Sequence, residues 1–138
     1  MQFSSRMPIA VHILLCIAEF DGKYKTTSTF LAGSLGVNPV IVRNTLSKLK
    51  AAGLVRIESG VGGASLLKKP EDISLWEVFS AVEDAHSLFR YHDNPNPQCP
   101  VGRGIHKVLD KHLQSVNDTF KEQLQNICLQ SLLDSLGS

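Results

Sequence analysis

The sequence predicts an α+β fold that is mostly helical, with a small mixed domain in front and one long helix behind. Three observations predict it. Apolar residues recur at spacings of three and four through most of the chain, two short runs flank a glycine cluster at 60–63, and one unbroken helical stripe covers 105–124. The 138 residues can bury one self-sufficient core, with room for an attached oligomerisation element. Hydrophobic residues at 43% and charged residues at 20% exclude collagen-like, disordered and disulfide-scaffold classes. Cysteines at 16, 99 and 128, an odd and scattered set, point to a reducing cytoplasm.

The first helix is expected over 8–20, from the first-turn Pro8, with Ala10, Ile13, Leu14 and Ile17 on its inner face and Asp21-Gly22 as its stop. Its apolar stretch 7–18 is shorter than the roughly 20 residues a bilayer needs and carries His12, so no membrane anchor is expected. Ser28 or Thr27 caps a second helix through Leu35, with Leu31, Ala32 and Leu35 inward and Gly36 ending it. Asn38 as cap and Pro39 at the first helical position open a third, which runs to about Ala52 and closes at Gly53. Residues 54–59 and 64–68 read as strands around Gly60-Val61-Gly62-Gly63, a hairpin whose tip tolerates positive φ, with Pro70 ending the second.

Residues 75–82 form a short amphipathic helix with Leu75, Val78, Phe79 and Val82 inward. Pro95, Pro97 and Pro100 keep 85–102 irregular. The long helix is expected from near Arg103, with Ile105, Val108, Leu109, Leu113, Val116, Phe120 and Leu124 on one stripe; about 22 residues give a rod of ~33 Å. Such a rod outreaches the domain. Part of its stripe, with Ile127, Leu129, Leu132, Leu133 and Leu136 beyond it, calls for a second subunit, so a two-fold homodimer is expected. The chain divides into 1–84 as the mixed front domain, 85–102 as the irregular loop, and 103–138 as dimerisation helix and tail.

Two short helices joined at a glycine, followed by a glycine-tipped hairpin, spell a winged helix-turn-helix, with Val37, Val42, Leu46 and Leu49 in the shared core. At about 100° per residue, the opposite face of the third helix presents Val40, Asn44, Ser47, Lys48 and Ala51, flanked by Arg43 and Lys50. Asn suits adenine, Arg suits guanine, and Ser47 and Lys48 suit a base edge or a phosphate. Asn38 and the free N–H groups beside it suit a phosphate, as do Arg56 and Lys68 on the hairpin strands. Charge agrees with a polyanionic partner: residues 1–70 hold nine Lys/Arg against three Asp/Glu, while 71–138 hold five against ten. The bland alternative is a winged-helix adaptor that binds protein.

The opening Ser4-Ser5-Arg6, the segment V-N-P-V-I-V-R-N-T-L-S-K-L-K-A-A-G-L-V at 37–55, G-V-G-G-A-S-L at 60–66 and P-E-D-I-S-L-W-E-V-F-S-A-V-E at 70–83 resemble the Rrf-two (Rrf2) family of bacterial transcription regulators, and its IscR and NsrR type members in particular. The resemblance implies a homodimeric regulator, read here as a repressor, that recognises a palindromic double-stranded DNA operator with third helix and wing. Asn38, Val40, Arg43 and Asn44 align with the family's base-reading surface, and Gly62 with its wing. Ser59 stands just before Gly60, where relatives that probe the minor groove often carry arginine.

Cluster-bearing relatives place three cysteines in the loop before the long helix, whereas this chain has only Cys99 there, so no iron-sulfur cluster or other cofactor and no metal is expected. His92, His106, Asp110 and His112 read as solvated, and Cys16 and Cys128 as core or interface residues. Cys99 is the redox-sensing candidate: the nearby helix start and Arg103 favour its thiolate. A small ligand between the long helix and the 75–82 helix is the alternative signal. No phosphate-cradling loop, nucleophile elbow or metal-ligand spacing is present, so no enzyme is expected.

Overall fold

The computed structural model describes residues 4–59, 62–83 and 88–137. Over them the chain forms α1 (Arg6–Glu19), α2 (Ser28–Leu35), α3 (Pro39–Ala51), β1 (Val55–Glu58), β2 (Gly63–Leu66), a 3-10 turn (Pro70–Asp72), α4 (Leu75–Val82), α5 (Pro100–Gln125) and α6 (Leu129–Leu136). The expected hairpin tip at Gly60 and Val61, and the start of the expected loop at 85–87, lie outside the described residues.

Ala10, Ile13, Leu14 and Ile17 of α1 are buried against Leu31 and Ala32 of α2, Val42, Leu46 and Leu49 of α3, and Val78 and Val82 of α4. Each of these helices places apolar side chains at three- and four-residue intervals, so one stripe of each faces the shared centre. Ser74 begins α4 with a reciprocal cap: its Oγ accepts from the Glu77 N–H at 3.2 Å, and Glu77 Oε1 accepts from the Ser74 N–H at 3.4 Å.

The hairpin pairs Val55 with Leu66, Arg56 with Ser65, Ile57 with Ala64 and Glu58 with Gly63. Thr26 fastens it to the helices. The Ala64 N–H donates to the Thr26 carbonyl at 3.1 Å, and the buried Thr26 hydroxyl donates back to the Ala64 carbonyl at 2.8 Å. Gly63 is required at that junction, because its φ is +77° and an added Cβ would stand 2.9 Å from the Thr26 nitrogen.

The C-terminal third departs from the expectation in two respects. First, α5 begins at Pro100 instead of near Arg103, because Pro100 occupies the favoured first helical position behind Cys99. Second, Leu129 does not await another subunit. The chain leaves α5 at Asn126 and pairs with 73–75: the Leu75 N–H donates to the Ile127 carbonyl at 2.8 Å, and the Leu129 N–H to the Ile73 carbonyl at 2.9 Å. Leu129 is thereby fully buried in the core, with Ile127 and Leu132 packed against it, whereas Leu136 stays 70% exposed.

Residues 88–99 run antiparallel along α5 as a strap, from Asn117 back to Gly102. The Leu88 N–H donates to Asn117 Oδ1 at 2.9 Å, Tyr91 stacks on His106, and the His106 Nε2–H donates to the His92 carbonyl at 2.8 Å. Asp110 accepts from the Tyr91 hydroxyl; desolvation, then that bond and the carboxylate charge, hold the phenol above its usual range. His106 and Asp110 are therefore strap contacts, which corrects the reading of both as merely solvated. The backbone of Asn96 lies so close to α5 that a Cβ on Gly102 would meet its carbonyl oxygen at 2.5 Å.

Gly63→Ala should destabilise the fold by about 1–3 kcal/mol through left-handed strain and the approach to Thr26. Urea unfolding measures this, and an unchanged midpoint would contradict the role given to Gly63.

Candidate nucleic-acid interface

Local sequence sets the helix-turn-helix. Thr27 caps α2 by accepting from the Phe30 N–H at 3.1 Å, and Gly36, at φ +71°, ends it with its N–H on the Ala32 carbonyl. Two residues later Asn38 caps α3, its Oδ1 accepting from the Val40 N–H at 2.8 Å, with Pro39 in the first turn. Asn38 thus spends its side-chain carbonyl on the helix and leaves its amide NH2 outward.

Burial of Val42, Leu46 and Leu49 fixes the rotation of α3 about its axis. Val40, Arg43, Asn44, Ser47, Lys48, Lys50 and Ala51 are all exposed on its other side. Arg43 and Ser47 line a cleft with Thr26, Thr27 and Ser28 at the start of α2 and with Ile57, Glu58 and Gly63 of the hairpin. The middle of α3, the start of α2 and the wing therefore line one shared cleft. Ser59 is exposed beside it and Gly62 half-buried.

Two expected wing cations are already engaged. Arg56 pairs with Glu58 at 3.1 Å, an exposed ion pair that contributes little stability and exchanges readily for a phosphate. Lys68 bonds Glu77 at 2.7 Å and so links the base of the wing to α4. Ile41, also exposed on the first turn of α3, was not among the expected residues. The T-T-S run at 26–28 had signalled a helix cap, without showing that it lines the same cleft.

Cys99 is the half-buried residue preceding α5, distant in sequence from this surface. Its thiol is lowered from the usual range by the Gly102 N–H and then the Val101 N–H, with desolvation opposing. The helix start supplies this effect, and Arg103 is not among its causes. Cys128 precedes α6 in the same way, and its thiol is lowered chiefly by the Ser131 hydroxyl and backbone N–H. Where a ligand was the alternative signal, α4 meets α5 through Phe79 on Phe120, with Trp76 stacked on Phe79 and Lys121 over the Trp76 ring. No helix of the described residues is long and apolar enough to cross a membrane.

The Rrf2 family, described as iron-dependent transcriptional regulators, matches residues 3–135. YwnA of Bacillus subtilis (strain 168), named as a candidate HTH-type transcriptional regulator, is 42% identical over 133 residues, covering 96% of this chain and 98% of YwnA. A crystal structure of a candidate DNA-binding protein is 39% identical, covers 94% of this chain and 99% of that one, and superposes with a TM-score of 0.77. The B. subtilis global cysteine regulator CymR shares the fold, with a TM-score of 0.71 at 20% identity over 97% of each chain.

The family description implies iron, and the described residues do not offer a donor set that fits it. Cys99 is the single thiol near the strap, His106 commits its Nε2 to the His92 carbonyl, and among the described residues no three His, Cys, Asp or Glu groups converge to hold a metal. The relatives are transcription regulators rather than enzymes. A family match over nearly the whole length, on a winged helix-turn-helix, makes this chain a DNA-binding transcription regulator of the Rrf2 family.

Proposed function

We propose that the protein acts in the cytoplasm as a homodimeric repressor that lays one α3 from each protomer in successive major grooves of a palindromic operator. The observation that carries this reading is the exposed row Arg43, Asn44, Ser47 and Lys48, of which Arg43 and Ser47 line the wing cleft. Arg43 and Asn44 read base edges; Lys48, Arg56 and the Asn38 amide hold phosphates; Ser59 and Gly62 border the minor groove.

Dimer formation is supported by α5. Its 26 residues span about 39 Å, yet among the described residues none of them is buried within the chain, and Val101, Val108 and Val116 are 69%, 54% and 43% exposed. A second copy covering that stripe removes the apolar area from water.

Cys99 supplies the signal in this reading. Its thiolate attacks a peroxide: an S–O bond forms, the O–O bond breaks and hydroxide leaves, giving a sulfenic acid at the start of α5. The larger, polar group disturbs the strap and hence the relative setting of the two α3 helices.

Five measurements test the reading. Arg43→Ala should lose about 5- to 150-fold in operator affinity, and wild-type affinity should fall steeply with salt in a mobility-shift titration. A salt-insensitive complex would favour the protein-binding adaptor. Val108→Asp should sediment as a monomer where the wild type sediments as a dimer; equal sedimentation of the two would contradict the α5 interface. Cys99 should alkylate with a midpoint below the ordinary thiol value, since a depressed pKa leaves more thiolate at any given pH; Cys99→Ser should keep DNA binding but lose its release by peroxide.

A further inference from the structure

The outward side of α3 contains two residues that its electrostatics do not explain. Val40 is 49% exposed and Ile41 43% exposed, both on the first turn, while the outward positions that follow are Arg43, Asn44, Ser47 and Lys48. At about 100° per residue, Val40 lies between Arg43 and Asn44 at the middle of the face, and Ile41 at its margin on the side of Lys48. Their rotation is fixed, because Val42 is fully buried and Asn38 and Pro39 set the helix start. Aliphatic side chains left in water at such positions gain free energy only when something apolar covers them.

A patch of two side chains bracketed by a guanidinium and an amide is far too small for a protein interface. The neighbouring cations and base-reading groups match duplex DNA. Of the groups a duplex presents in the major groove, one is apolar: the C5-methyl of thymine. We propose that Val40 and Ile41 read thymine methyl groups, so that each half-site carries thymine next to the base pair engaged by Arg43 or Asn44. The inference rests on the docking of α3 proposed above and adds the base identity that the docking alone leaves open.

The test enriches duplexes from a randomised pool with the full chain, then rebuilds the enriched sequence with deoxyuridine in place of each thymidine, which removes the methyl and keeps every hydrogen-bonding group. Wild-type protein should lose about three- to fivefold in affinity for each methyl that is read. Val40→Ser should bind the thymidine and deoxyuridine duplexes alike at the position Val40 covers, with Ile41→Ser giving the corresponding result at its own position. Both residues are exposed, so neither change threatens folding. Wild-type affinity indifferent to deoxyuridine, or a methyl effect undiminished in both variants, overturns the inference. If Arg43→Ala still weakens binding in that case, the docking of α3 survives; if no sequence is enriched, or Arg43→Ala binds as wild type, the docking falls with it.

Discussion

The burial of three side chains, Val42, Leu46 and Leu49, determines what this protein offers to a partner. A helix has one rotational freedom about its axis, and a row of apolar residues at four- and three-residue spacing removes it. With that row inside, Arg43, Asn44, Ser47 and Lys48 have nowhere to point but outward. The polar face therefore needs no positioning device of its own. Neighbouring elements set the rest of the frame: Gly36 turns the chain between α2 and α3, and the Asn38 cap fixes where the outward face begins.

The wing is held to this frame by Val55, buried in the core, by Ile57, Ala64 and Leu66 packed against it, and by polar contacts besides. Thr26 and Ala64 exchange two hydrogen bonds, and the approach of the two backbones is possible because residue 63 has no side chain. Lys68 reaching Glu77 ties the base of the hairpin to α4. The short pairing of 73–75 with 127–129 then draws the end of α5 into the same core.

Much of this was legible in the residues. Helix starts announced themselves through Thr27, Asn38-Pro39 and Ser74, whose capping chemistry is local, and helix ends through Gly36 and Gly53. The exposed row of α3 followed from periodicity alone. What stayed hidden depends on distant contacts. No glycine or proline marks the break between α5 and α6, and the bonds that create it join Leu129 to Ile73 and Leu75 to Ile127 across some fifty residues. The strap was likewise unreadable: His106 and Asp110 are polar residues on a polar helix until Tyr91 and His92 are laid over them. Lys68 resembled any other basic strand residue, and its engagement by Glu77 is a tertiary fact.

Dimethyl sulfate interference on an operator duplex bears most directly on the central claim, since it marks guanine N7 in the major groove separately from adenine N3 in the minor groove. Two α3 helices seated in successive major grooves should give two clusters of N7 interference, their centres about ten base pairs apart. A single cluster, or interference confined to adenine N3, would contradict the arrangement.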